Sequence, residues 1–231
     1  MIVDQILEEK VRLLCIAFKV KHAFEYVKKN NTSNNLPYHN WYHALCMVEK
    51  CIEGADYHNL PYRSIRHLIL AALFHDFDHT GGKSTDDINI NRALKGLQLY
   101  EDNFFSDITS IETLEVKEFI RATEYPYVME PICIEQKIIR DADLMQCLRP
   151  TWKEMIIDGL RQEMSIKLGK DLTEEEMCKG QSKFLDAIRP HSGWGKDVLF
   201  LQGKINIAKY NVDLLQSVID RKNKNENNTP N

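Results

Sequence analysis

A chain of 231 residues and 27.0 kDa is long enough to bury one sizeable core and short enough to be a single domain. Hydrophobic residues at 43% and charged ones at 28% exclude a disordered or fibrous protein. A formal charge of -4, with 30 basic against 34 acidic residues, leaves no basic footprint for a phosphate backbone, so a small molecule is expected as partner rather than duplex nucleic acid.

Apolar residues recur at helical spacing along nearly the whole sequence. Ile2, Ile6, Leu7, Leu14, Phe18 and Phe24 share a face of one long helix expected to reach about Lys29. "NNTSNN" over 30–35 then favours a loop, because its side chains compete for backbone hydrogen bonds. Further helices are expected over about 41–54, 62–78, 86–100, 111–124, 133–147, 151–168, 173–188 and 197–221. Pro61, Pro126, Pro131, Pro150 and Pro190 fall between them, where a missing amide donor does least harm. No alternating strand pattern, internal repeat or Gly/Ser linker divides the chain. The expected fold is therefore all-α, a compact multi-helix bundle in one domain over 1–221, with 222–231 too polar to pack and expected to be a disordered tail.

Cys15, Cys46, Cys51, Cys133, Cys147 and Cys178 form no CxxC pair, which points to a reducing compartment. The opening "MIVDQILEEK" is acidic where a signal peptide is basic, and no apolar run approaches 18 residues. The expected location is the cytoplasm, or the host cytoplasm for a phage-encoded protein, with no membrane contact. Nothing in the sequence signals an oligomeric state.

Eight histidines would give roughly 0.3 pairs at i, i+4 by chance. Two such pairs occur: His39 and His43 in "LPYHNWYHAL", His75 and His79 in "AALFHDFDHTGG". Residues four apart share a helix face, and neutral imidazoles beside Asp76 can hold a divalent metal inside a bundle. "KIIRDADLMQC" adds Asp141 and Asp143 within an apolar helix, where an unpaired carboxylate is costly to bury. Two residues apart, they face nearly opposite ways, so only one should point at the metal.

The series His, His-Asp, Asp on successive helices resembles the HD-domain metal phosphohydrolases, and in detail the 3′,5′-cyclic nucleotide phosphodiesterases. Tyr38, His39, Asn40 and His43 are similar to the family's Tyr-His-Asn-x-x-His; His75, Asp76, Asp78, His79 and Gly81 to its His-Asp-x-Asp-His-x-Gly. Ala122, Thr123 and Glu124 resemble its Ala-Thr-acid segment, and Ala142, Asp143 and Leu144 its Ala-Asp-Leu. "QSKFLDAIRP" from Gln181 to Pro190 resembles its Gln-x-x-Phe helix. The likeness covers about 36–200. The chain departs from the pattern at Ser84, where the family carries Asn, at Glu124 in place of Asp, and at "DDININRALKGL", where its Glu-Asn-His-His helix would stand. It is also shorter than the family's usual catalytic domain.

The resemblance implies two divalent ions. His43, His75, Asp76 and Asp143 would hold the first, zinc or manganese or iron, with Asp143 preferred to Asp141; Asp76 would bridge to a second, magnesium or manganese. It implies that His39 is the general acid for the leaving 3′ oxygen, a proton transfer suited to imidazole. His79 joins it in the catalytic set, with Asp78, by orienting ligands or water. Asp158 is a candidate to orient His39. Gln181, Phe184 and Asn40 would bind substrate, the amide reading a purine edge and the ring stacking on the base. The activity so implied is metal-dependent hydrolysis of a cyclic mononucleotide or cyclic oligonucleotide to the linear nucleotide. A nucleotidase or other HD-domain phosphomonoester hydrolase is the alternative, and a nucleotide-binding protein without catalysis a third.

Overall fold

The computed structural model describes residues 2–104, 108–198 and 203–227. Eleven α-helices are described: α1 (Ile2–Ala17), α2 (Lys21–Asn30), α3 (Trp41–Tyr57), α4 (Tyr62–Phe74), α5 (Asp86–Asn103), α6 (Ser110–Arg121), α7 (Ile134–Leu144), α8 (Arg161–Leu168), α9 (Glu174–Ala187), α10 (Gly193–Lys196) and α11 (Lys204–Asn227). Thr32–Asn35 and Met145–Leu148 are 3-10 turns, and Lys153–Leu160 is π-helical and runs directly into α8. No strand occurs among the described residues. The fold is all-α, as the periodicity predicts.

Helices α3 and α4 sit at the centre and form the most extensive helix pair. Both are apolar nearly all round, with Ala44–Val48 and Leu68–Phe74 buried, the pattern of helices enclosed by others. Each fully buried Leu, Ile or Phe there contributes about 1.5–3 kcal/mol. Helices α1, α2, α6 and α7 pack around this pair, α5 lies on α6, and α9 bridges the π-helical segment and α11. The buried apolar side chains form one cluster.

The expected first helix is two. Backbone at Lys19 turns left-handed (φ 56°) and the chain restarts as α2. The buried stripe of α1 is Leu7, Val11 and Cys15, and Ile6 is exposed; the side chain of Ile2 lies outside the described residues. The expected helix 62–78 stops at Phe74. Here Asn31 Oδ1 accepts the Asp78 amide at 2.8 Å, Asp78 itself is left-handed (φ 58°), and Gly81 and Gly82 follow with positive φ. The chain from His75 to His79 is therefore a turn. The last helix starts at Lys204 and runs past the expected end at 221 to Asn227, while 228–231 lie outside the described residues.

Candidate metal and catalytic site

The turn after α4 carries the centre of the site. Asn40 caps α3, its Oδ1 accepting the His43 amide at 3.1 Å, as N-cap residues do. That cap sets His43 one turn into the helix, facing the end of α4. His43 Nε2 lies 3.1 Å from His75 Nε2, 3.1 Å from Asp76 Oδ2 and 3.6 Å from Asp143 Oδ1. His75 Nε2 lies 3.0 Å from Asp76 Oδ2. A tetrahedral ion with bonds of about 2.0–2.1 Å has ligands about 3.3 Å apart, and these separations bracket that value.

Three observations make this donor set fit a divalent metal. Asp76 Oδ2 is buried, flanked by two imidazole nitrogens, and makes no hydrogen bond. The His75 ring sets Nδ1 2.9 Å from the Ala72 carbonyl; donation there places the proton on Nδ1 and leaves the Nε2 lone pair for a metal. Mixed imidazole and carboxylate donors suit zinc, manganese or iron. Asp76 also belongs with His39 and His79 to a second group whose ligand atoms lie within 4.8 Å of one another, as do those of His43, His75 and Asp143.

Charge coupling across the cluster is strong. Burial disfavours a charged His75, yet the Asp76 carboxylate outweighs it and lifts the imidazole to about 9. Burial likewise opposes ionised Asp76, but His75 and His39 hold it well below the ordinary carboxylate range.

His39 precedes α3 and is half-buried beside the cluster. Its Nδ1 lies 2.5 Å from Glu163 Oε2, while Glu163 Oε1 accepts the amides of Tyr38 at 2.7 Å and His39 at 3.1 Å. Glu163 is 2% exposed. A carboxylate so fixed accepts a hydrogen bond from Nδ1–H and leaves Nε2 for chemistry. Burial lowers the affinity of His39 for a proton, but Asp76 and Glu163 together raise its pKa. His79 lies against it, ring centroids 3.7 Å apart, with Nε2 at 2.9 Å from the Asn89 side-chain amide. Burial and the neighbouring His39 push His79 down to about 4, so it is neutral.

The structure revises several expectations. His39 lies outside α3 and His75 and His79 outside α4, so neither pair shares a helix face; they converge because both flanking turns fold over the bundle end. Asp158 does not orient His39. The wide π-helical turns leave it pairing with Lys153 at 3.6 Å, and Glu163 takes the place beside His39. Asp78 turns away, Oδ1 accepting from Thr32 N at 2.9 Å and Oγ1 at 2.7 Å. Asn40, expected at the substrate, is consumed as the α3 cap, with Nδ2 donating to Leu36 and Pro37 carbonyls at 2.9 and 3.3 Å. Asp141 faces away from Asp143 and is fully buried, accepting from His191 N at 2.8 Å, Ser192 N at 2.7 Å and Ser192 Oγ at 2.6 Å.

A cavity of about 390 Å³ opens beside the cluster, which reaches its lining through Asp143, and its volume is within the range of small-molecule sites. His39, His79, Asp143 and Glu163 form part of its lining, with Gln181 and Phe184 of α9 on its wall; Glu124 is absent from the lining, while Asp86 and Asn89 of α5 reach it. Sequence reasoning missed Glu163 and Asn89. The signal for Glu163 is its spacing: it falls seven residues after Ile156 and three after Leu160, on an apolar face where an acid has no reason to sit.

The all-helical fold is similar to that of a phosphodiesterase domain. Among solved structures, the phosphodiesterase domain of Salpingoeca rosetta rhodopsin phosphodiesterase matches with a TM-score of 0.66 and 16% sequence identity, over 94% of this chain and 91% of that one. No protein-family model and no curated protein matches the sequence. Among the described residues no helix is long and apolar enough to cross a membrane.

Proposed function

We propose that this protein hydrolyses the phosphodiester of a cyclic nucleotide to the linear nucleotide, using divalent metal. The observation that carries the reading is the convergence of His43, His75, Asp76 and Asp143 at 3.0–3.6 Å next to a cavity lined by Asp143 and the His39–Glu163 pair. These four residues would hold the divalent metal, which when bound would supply charge neutralisation at the phosphoryl group and an acidified water.

The chain's own groups supply the rest. Glu163 orients the His39 ring and helps raise its pKa, which favours a proton on Nε2 for the departing 3′ alkoxide. His79, neutral and anchored by Asn89, packs the His39 ring in place. Gln181, 6% exposed, offers an amide to a purine edge, and Phe184 a face for stacking.

Purified full-length protein with manganese or magnesium, offered a panel of cyclic mono-, di- and trinucleotides, should yield ring-opened products. A panel returned intact would overturn the reading. Release of inorganic phosphate from linear nucleotides would select a phosphomonoesterase instead, a reading favoured by α5 presenting Asp86 and Asn89 where the resembled family has Glu-Asn-His-His.

A further inference from the structure

Cleavage of a single nucleotide leaves one aromatic wall of the cavity unused. Tyr125 and Tyr127, from the segment between α6 and α7, line it. Arg140 of α7, 1% exposed, donates Nε to the Ala122 carbonyl and Nη2 to the Met129 carbonyl, clamping that segment at both ends. Its guanidinium lies 4.1 Å from the Tyr127 ring centroid and covers one face of it. Asp86, at the start of α5, accepts the Tyr125 amide at 2.6 Å. The two rings meet edge to face at 5.5 Å and 86°, and Tyr125 is 55% exposed.

Burying a guanidinium to hold two loop carbonyls is costly, and the result is a fixed pair of phenol rings rather than a loop packed by its own apolar groups. Phe184 belongs to another wall: α9 packs on α11 and the π-helical segment, whereas the tyrosine segment is held by α5 and α7. Lys167, exposed at the end of α8, is the one Lys or Arg among the described lining residues. One base and one phosphodiester would occupy Phe184 and the metal ligands, leaving the tyrosine pair and Lys167 without a partner.

Resting on the phosphodiesterase reading, we infer that the substrate is a cyclic dinucleotide, with two bases and two phosphodiesters. One base stacks on Phe184 and the other on the Tyr125–Tyr127 pair, while the uncleaved phosphodiester faces Lys167. Hydrolysis adds the hydroxyl of one water to phosphorus and breaks one P–O3′ bond. His39 gives its proton to the departing oxygen and is restored by the proton that the attacking water releases, and the product is a linear dinucleotide.

Two measurements on the full chain test this. Calorimetry in chelator, where nothing turns over, compares cyclic di-adenosine monophosphate with 3′,5′-cyclic adenosine monophosphate. The dinucleotide should bind at least about tenfold tighter, the worth of one stacked base. Tyr125→Ala, at an exposed ring the fold does not need, should cut that preference about tenfold, and Tyr127→Phe should keep it. No dinucleotide binding, equal or tighter mononucleotide binding, or a Tyr125→Ala variant weakening both alike would overturn the inference. Turnover with manganese separates the two readings. Equal hydrolysis of both compounds sinks the dinucleotide assignment and leaves the phosphodiesterase standing; tight dinucleotide binding without cleavage does the reverse.

Discussion

On the proposed reading a single carboxylate, Glu163, sets whether His39 can act as an acid. His39→Ala should lower kcat by about 10²–10⁴-fold, the usual worth of general acid catalysis, while metal content measured by mass spectrometry stays that of the parent. Glu163→Gln removes a negative charge that raises the His39 pKa, so the basic limb of the pH–rate profile should move to lower pH. An unmoved limb would mean that some other group delivers the proton. At His75 the lifted pKa of about 9 sets a competition between proton and metal. Metal affinity should rise with pH up to about 9, and binding should release protons, as calorimetry in buffers of different ionisation enthalpy would read. The residues that cluster at the candidate metal site were legible because their types and order are distinctive. Glu163 was not, since it stands 124 residues from His39 and, although its place on an apolar face marks it as unusual, nothing local ties it to that histidine.

Helix ends, more than helix interiors, built this site, and they are where periodicity says least. The 3.6-residue pattern located nearly every helix, but it carries no trace of the side chain from Asn31 that stops α4, or of the left-handed Lys19 that divides α1 from α2. Caps hold elsewhere too. In α6, Thr109 and Glu112 form a reciprocal capping box. Burial pushes the Glu112 carboxyl up, but the Thr109 amide and hydroxyl and Arg66 bring it down to about 2. A depressed folded pKa gives stability that is complete above the ordinary value of 4.5 and lost as pH falls from there to about 2. Urea midpoints measured across that interval should fall steeply for the parent and less for Glu112→Gln, which begins less stable at pH 7. Gly82, at φ 84°, leaves room for α8: a Cβ there would stand 2.1 Å from the Glu163 carbonyl oxygen. Gly82→Ala should cost more than about 1 kcal/mol in chemical denaturation.

For the molecule as a whole, the ligands come from three separate places, α3, the turn after α4 and α7, so filling the site ties the central helices together. A metal that binds only the folded chain adds about 2.7 kcal/mol at a hundredfold excess over Kd. For a chain of this length the melting temperature should then rise by about 5–10 °C with manganese or zinc and fall back with chelator; no shift would argue against a metal site. Chain order was readable because the motifs succeed one another along the sequence. The packing of α9 and α11 beyond them was not, since contacts between distant segments leave no local pattern.

The distance along the chain between His39 and Glu163 has a temporal side. During synthesis every candidate ion ligand has left the ribosome once Asp143 emerges, whereas the partner of His39 comes later, on α8. On the proposed reading, the chain would hold every candidate ion ligand before it holds the partner of the candidate acid, and chemistry would wait until the last third of the protein has closed over the first.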